Sequence, residues 1–180
     1  MKVKNLYHAS QNKNIEMLKP QAESVRDPNE GPVVFASHDK VYVTCFLVPT
    51  NDNWSKISHY STSRHPTIYV MSILDEKRFR ELDKGGAIYH LSSNGFYLDE
   101  TKNSTEWASK VSVRPFKKEL YNSGLDAMIE NGVIVYFCDK STFLKLKEEP
   151  WNIKRSMRIY KGLASENEKR GLENIIHKYY

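Results

Sequence analysis

The chain has 180 residues, of which 39% are hydrophobic and 27% are charged, a composition typical of one soluble globular domain spanning residues 1–180. Its 8 glycines and 7 prolines are too few for a collagen-like or largely disordered chain, and neither a signal peptide nor a membrane-spanning apolar run is visible. We therefore expect a cytoplasmic protein, whose net charge of +5 suits either a phosphate-bearing ligand or an ordinary basic surface.

The first part of the chain predicts two short strands and one helix, separated by polar segments. Lys4–His8 has the pattern of a short apolar strand, and Val33–Ala36 that of a buried one. Ser37 has the side chain of a helix cap, so we expect a helix over His38–Leu47. Polar residues and prolines predict irregular loops at Ala22–Gly31 and Pro49–Pro66.

The rest of the chain alternates apolar runs with short charged ones. Thr67–Leu74 is the clearest strand, and Val133–Cys138 predicts another buried strand. Leu125–Glu130 predicts a short helix, and Ser165–Tyr180 predicts a terminal helix that packs outside the core. The other predicted elements are a charged helix or turn at Asp75–Leu82, a hairpin of Ala87–Leu91 with Gly95–Leu98, a strand within Thr105–Val113, an extended or helical segment at Pro115–Tyr121 and an amphipathic segment at Ser141–Glu148. Many short strands with scattered helices indicate an α+β fold.

The two cysteines, Cys45 and Cys138, both lie inside apolar runs. This setting favours free, buried thiols over reactive ones. No second pair of ligands is spaced for zinc, so the sequence predicts no metal site.

Three short motifs follow one another along the chain. LYHAS at Leu6–Ser10 carries a histidine near the end of the first strand, VVFASHDKVYVTCF at Val33–Phe46 runs from a strand into a helix, and TEWAS at Thr105–Ser109 places a glutamate at the start of a later strand. This order resembles the ADP-ribosyltransferase superfamily, on the branch that contains diphtheria toxin and the poly(ADP-ribose) polymerases. That branch has a pattern close to Leu-x-His-Gly-Ser, then Gly-x-Tyr-Phe-Ala before a helix, then a glutamate that begins a strand.

The resemblance implies a fold of two small, mostly antiparallel sheets that form a cleft with peripheral helices. It also implies an enzyme, a glycosyltransferase that cleaves the nicotinamide–ribose bond of NAD and passes ADP-ribose to a protein, a nucleic acid, a small molecule or water. Glu106 would be the catalytic carboxylate, because a negative charge beside the ribose stabilises an oxocarbenium-like transition state. His8 would act with Glu106 by holding a ribose hydroxyl. The residues implied to bind NAD are His8, Ala9, Ser10, Phe35, Ser37 and Tyr42.

Two departures from the family pattern favour an alternative, a catalytically inactive module that binds a nucleotide or nucleic acid on the same fold. Ala9 replaces the glycine that lets the backbone approach the carboxamide, and Val34 stands where the family has a stacking aromatic. The 11 tyrosines and the positive net charge are also compatible with binding of a nucleic acid. The segment Ser58–Tyr69, SHYSTSRHPTIY, has the residue types of a phosphate-binding loop and faintly resembles the RNA 2′-phosphotransferases, although a solvated loop has the same composition.

Overall fold

A computed structural model of the chain describes residues 5–21, 30–62, 65–98 and 105–148. The predicted terminal helix Ser165–Tyr180 lies outside these residues. The elements of the described part are, in chain order, β1 (Asn5–Ser10), β2 (Val34–Ser37), α1 (Lys40–Thr44), β3 (Ser55–Thr62), β4 (His65–Ile73), α2 (Glu76–Leu82), β5 (Gly86–Ser92), β6 (Tyr97–Leu98), β7 (Glu106–Ser109), β8 (Lys117–Tyr121), α3 (Gly124–Glu130), β9 (Ile134–Phe137) and α4 (Lys140–Glu148).

The contacts within the chain divide it into two compact units, each built on one sheet. The first unit comprises the described residues up to Pro49 together with Leu82–Asn131, and the second comprises Thr50–Glu81 and the described residues from Gly132 onward. The sheet of the first unit has six strands in the order β6-β7-β2-β1-β5-β8, and that of the second has three in the order β3-β4-β9. Neighbouring strands in the described part are antiparallel, except that β4 and β9 are parallel. The predicted α+β fold with two mostly antiparallel sheets is therefore confirmed.

The six-stranded sheet carries an apolar cluster on each face, and both clusters follow from the alternation of side chains along β1. Leu6 packs on one face with Val34 and other buried residues of β2 and β5. Tyr7 and Ala9 belong to the opposite face, where they pack against a cluster that includes Val43 of α1. Helix α1 therefore lies over the face to which Tyr7 and Ala9 point.

The second unit has its own core, in which α4 packs on the parallel pair β4 and β9. Phe143 and Leu146 of α4 contact Val70 of β4 and Tyr136 of β9, all of them buried. Cys138 belongs to this cluster and Cys45 is buried in the first unit, and both are free thiols as predicted. Burial raises the pKa of the Cys45 thiol to about 12, so this thiol is protonated at neutral pH.

Two predicted segments were wrong because a strand was missed or paired differently. The segment Pro49–Pro66, predicted to be irregular, contains β3, which pairs with β4 over most of its length. In the described part, β3 borders its sheet and pairs on one side only, so polar side chains are tolerated and the apolar pattern is weak. The predicted hairpin of Ala87–Leu91 with Gly95–Leu98 does not form, because β6 pairs with β7 while β5 lies between β1 and β8.

The helix after β2 is shorter than predicted and has a different cap. It spans Lys40–Thr44, and its cap is Asp39, whose Oδ1 accepts hydrogen bonds from the backbone N–H groups of Val41 at 2.9 Å and Tyr42 at 3.2 Å. The prediction that Ser37 caps this helix was therefore wrong. Ser37 is instead the last residue of β2, and the helix begins two residues later than predicted, where Asp39 is an equally suitable capping residue.

Candidate active site

A cavity of about 240 Å³ lies in the first unit, where α1 covers the sheet. Strands β1, β2 and β7 supply its floor, and α1 with the turn that follows it supplies the cover. The cavity is lined by Tyr7, His8, Ala9, Phe35, Ala36, Ser37, Tyr42, Val43, Phe46 and Glu106. Both residues expected to be catalytic, and most of those expected to bind NAD, thus line one cavity.

The register of the sheet explains how Glu106 reaches a cavity that begins at β1. Ser37 of β2 pairs with Tyr7 of β1 on one side and with Glu106 of β7 on the other. Directly paired residues point to the same face of a sheet, so Tyr7, Ser37 and Glu106 share the face that α1 covers. Glu106 therefore reaches the cavity from β7, on one side of β2. His8 lines the cavity from β1, on the other side of β2, next to the point at which β1 and β2 stop pairing.

The side chain of His8, rather than a backbone N–H group of β1, binds the backbone of β2 at Phe35. These two strands pair only at Tyr7 and Ser37, although β1 pairs with β5 along its whole length. Beyond that point the Nδ1 atom of His8 lies 2.8 Å from the carbonyl oxygen of Phe35. A carbonyl oxygen only accepts, so Nδ1 carries the proton and Nε2 holds a lone pair that can accept a hydrogen bond.

The environment of His8 keeps its imidazole neutral at pH 7. Burial lowers the pKa of His8 below its ordinary value of 6.5, against the opposing effect of the hydrogen bond to Phe35. A neutral ring with its proton fixed on Nδ1 presents one defined acceptor, Nε2. Such a group can orient a hydroxyl of a ligand without introducing a positive charge into the cavity.

Tyr42 connects α1 to the carboxylate of Glu106. The Tyr42 hydroxyl donates a hydrogen bond to Glu106 Oε1 at 3.1 Å, and its ring contacts Phe46 edge-on with 4.9 Å between ring centroids. Burial, followed by the negative charge of Glu106, raises the pKa of Tyr42 far above its ordinary value, so the phenol remains a donor. The bond therefore helps to fix the orientation of the carboxylate relative to the cavity.

Two of the residues expected to bind NAD contribute differently from the rest. Ser10 does not line the cavity, and its Oγ accepts a hydrogen bond from the backbone N–H of Asn12 at 3.2 Å. Ser37 lines the cavity, but its Oγ donates to the carbonyl oxygen of Thr105 at 3.0 Å and accepts from the N–H of Asp39 at 3.1 Å. Its hydroxyl therefore joins β2 to the start of β7 and to the cap of α1.

Three residues that were not expected to bind NAD also line the cavity: Tyr7, Val43 and Phe46. Phe46 follows Tyr42 by four residues, a spacing that brings side chains together on a helical turn, and Tyr7 directly precedes His8. Phe46 keeps 48% of its surface exposed, so it forms part of the rim. Val34, in contrast, is buried in the cluster on the opposite face of the sheet and supplies no ring to the cavity.

Comparison of the chain with known protein families, with curated proteins and with solved structures finds no match. No helix among the described residues is both long and apolar enough to cross a membrane.

Proposed function

We propose that the chain is an NAD-dependent ADP-ribosyltransferase-like enzyme that cleaves the nicotinamide–ribose bond and passes ADP-ribose to an acceptor or to water. One observation carries the proposal: His8 and Glu106, far apart in the sequence, line the same cavity. The family resemblance implies these two residues for the reaction from the sequence alone. Their convergence is the arrangement that the reaction needs.

The role of Glu106 follows from the charge that develops as the C–N bond breaks. The ribose becomes oxocarbenium-like and positive, while the nicotinamide leaves as a neutral base. A carboxylate beside the ribose stabilises this state more than the ground state, which is the condition for a faster reaction. The Tyr42 hydroxyl holds Oε1 of Glu106, so the carboxylate is oriented before the substrate arrives.

The volume and lining of the cavity are compatible with the nicotinamide end of NAD. Pockets for small molecules usually measure about 300–1,000 Å³, so a cavity of about 240 Å³ holds a ring with its sugar while the rest of the dinucleotide lies outside. Tyr7, Phe35, Tyr42 and Phe46 provide aromatic surface, which attracts a positively charged pyridinium ring. His8 Nε2 can accept a hydrogen bond from a ribose hydroxyl at the same end.

A second candidate function is an inactive module that binds NAD or ADP-ribose without turnover. The observation that favours it is the side chain of Ala9, which lines the cavity where the family has a glycine. A methyl group there narrows the approach of a carboxamide to the backbone. This module would bind the nucleotide in the same cavity but hold the scissile bond away from Glu106.

The experiment that separates the two is the release of nicotinamide from NAD by the purified chain, measured by chromatography together with the thermal midpoint. If the chain is an enzyme, it releases nicotinamide, Glu106→Gln lowers the rate about 100-fold, and His8→Ala weakens NAD binding. Glu130→Gln and His38→Ala are the matched controls, because both side chains are exposed and neither lines the cavity. Both controls should keep the wild-type rate.

Three outcomes are distinguishable in this experiment. Release that depends on Glu106 supports the enzyme. A rise in the thermal midpoint with NAD but no release by the wild type supports the inactive module, because a ligand of the folded state must raise the midpoint. No release and no shift with NAD, ADP-ribose or nicotinamide contradicts both functions.

A further inference from the structure

A second cluster of polar side chains converges on Glu119 in β8, beside the cavity but not lining it. Its Oε2 lies 2.5 Å from Lys40 Nζ and accepts from the Tyr121 hydroxyl at 3.1 Å, while its Oε1 accepts from His90 Nε2 at 2.7 Å. Burial opposes ionisation of Glu119, but the hydrogen bonds from Lys40 and His90 outweigh it and lower its pKa to about 2. The carboxylate is therefore charged at any physiological pH and holds three elements together.

Two separate routes lead from Glu119 to the cavity. Lys40 is the first residue of α1, the helix that carries Tyr42 and its hydrogen bond to Glu106. His90, on β5, contacts the ring of Tyr7 edge-on, with 5.0 Å between ring centroids. Both Tyr42 and Tyr7 line the cavity. The Glu119 carboxylate, which lies outside the cavity, therefore contacts one residue that helps to hold each of these two tyrosines.

Helix α1 depends on such external contacts for its position. It has only five residues, KVYVT, and is rich in β-branched side chains. A helix this short is unstable by itself in water, because the cost of nucleation is spread over very few hydrogen bonds. Its place is therefore set by the Asp39 cap, by the packing of Val43 and by the ion pair between Lys40 and Glu119.

We propose that Glu119 is a positioning residue for this cavity, acting on Tyr42 through Lys40 and α1, and on Tyr7 through His90. Its effect on the rate of nicotinamide release rests on the proposed function, but its effect on the order of α1 does not. The side chains of Lys40 and Glu119 remain 29% and 24% exposed, so solvent screens the pair and its removal changes global stability modestly. The geometry of the cavity should change more than the stability of the fold does.

The test compares Glu119→Gln with Asp83→Asn, a carboxylate of the same unit that also accepts several hydrogen bonds. The partners of Asp83 include Gly85, Ser123, Gly124 and Leu125, none of which belongs to α1 or lines the cavity. We expect Glu119→Gln to lower the kcat of nicotinamide release about tenfold, whereas Asp83→Asn lowers the thermal midpoint without lowering kcat. Amide hydrogen exchange in α1 should accelerate in the first variant only.

Lys40→Met is the second variant, and it keeps the inference testable if Glu119→Gln does not fold. It removes the contact with α1 while His90 and Tyr121 still bind the carboxylate. The double variant should be no slower than the slower single variant, because both changes break one connection. If the losses of kcat in the two single variants multiply in the double variant, the proposal is overturned. It is also overturned if the amide hydrogens of α1 exchange at the wild-type rate in both single variants.

Failure of the proposed function gives a different result. If the wild type releases no nicotinamide while α1 exchange still accelerates in Glu119→Gln and Lys40→Met, the enzyme proposal fails and the positioning role of Glu119 stands. If the wild type is active and neither variant differs from Asp83→Asn in kcat or in exchange, the positioning role fails and the enzyme stands.

Discussion

Removing the hydroxyl oxygen of Tyr42 should slow nicotinamide release while the aromatic ring still lines the cavity. In Tyr42→Phe the ring can keep its edge-on contact with Phe46, at 4.9 Å between centroids, while Glu106 Oε1 loses a donor 3.1 Å away. A hydrogen bond to a charged group contributes about 1.5–3 kcal/mol, and this bond is longer than the usual hydroxyl distance, so we take about 1.5 kcal/mol. If the bond orients Glu106 for the transition state, kcat should fall about tenfold with little change in KM.

Tyr97→Phe is the matched control for this prediction, because it removes the same kind of bond outside the cavity. The Tyr97 hydroxyl donates to Glu30 Oε1 at 2.6 Å, and the residue is 37% exposed. Nicotinamide release is measured for both variants at saturating and at low NAD, with thermal midpoints alongside. Tyr42→Phe should lower the midpoint by about 3–6 °C, and Tyr97→Phe should leave kcat unchanged. An unchanged kcat in Tyr42→Phe, or an equal loss in both, would refute the argument.

Three further predictions concern the fold and its pH dependence. Burial lowers the pKa of His8 below 6.5, so between that lowered value and 6.5 the unfolded chain binds more protons than the folded chain. The free energy of unfolding should therefore fall as pH falls through 6.5. Urea unfolding should show this dependence, and His8→Gln should lack it. Burial opposes ionisation of Asp83, but hydrogen bonds from backbone N–H groups, that of Gly124 foremost, lower its pKa below 3.8. Asp83→Ala should therefore lower the free energy of unfolding by about 1–3 kcal/mol at pH 7. The difference from the wild type should shrink as pH falls through that lowered pKa. A Cβ at Gly86 would lie 2.4 Å from the backbone oxygen of Ser10. Gly86→Ala should therefore destabilise the first unit by about 3 kcal/mol, measured by thermal unfolding. An unchanged thermal midpoint would contradict that contact.

Much of the fold could be predicted from the sequence because its strands and helices are short and strongly patterned. The apolar runs at Thr67–Leu74 and Val133–Cys138 predict strands, and they form most of β4 and all of β9. Strand β3 was missed because it pairs on one side only in the described part and carries serines, a lysine and a histidine. A strand with so few apolar residues is recognisable only from its partner, which the sequence does not reveal.

The candidate site shows the same division between local patterns and long-range contacts. His8, Phe35 and Glu106 could be named because each lies in a recognisable motif, and all three line the cavity. The bond from Tyr42 to Glu106 could not be predicted, because it depends on the register of β2 with β7 and on where α1 begins. Glu119 carried no motif at all, and its importance follows only from contacts that the sheet register creates.

The most direct test of the account is a crystal structure of Glu106→Gln, the slowest variant expected, soaked with NAD. We predict that the nicotinamide ring lies among the aromatic side chains of the cavity, with His8 Nε2 within about 3.2 Å of a ribose hydroxyl and the substituted side chain at position 106 beside the same ribose. NAD bound elsewhere on the chain, or an empty cavity at saturating NAD in crystals that leave it open, would contradict the claim that His8 and Glu106 act on one nucleotide.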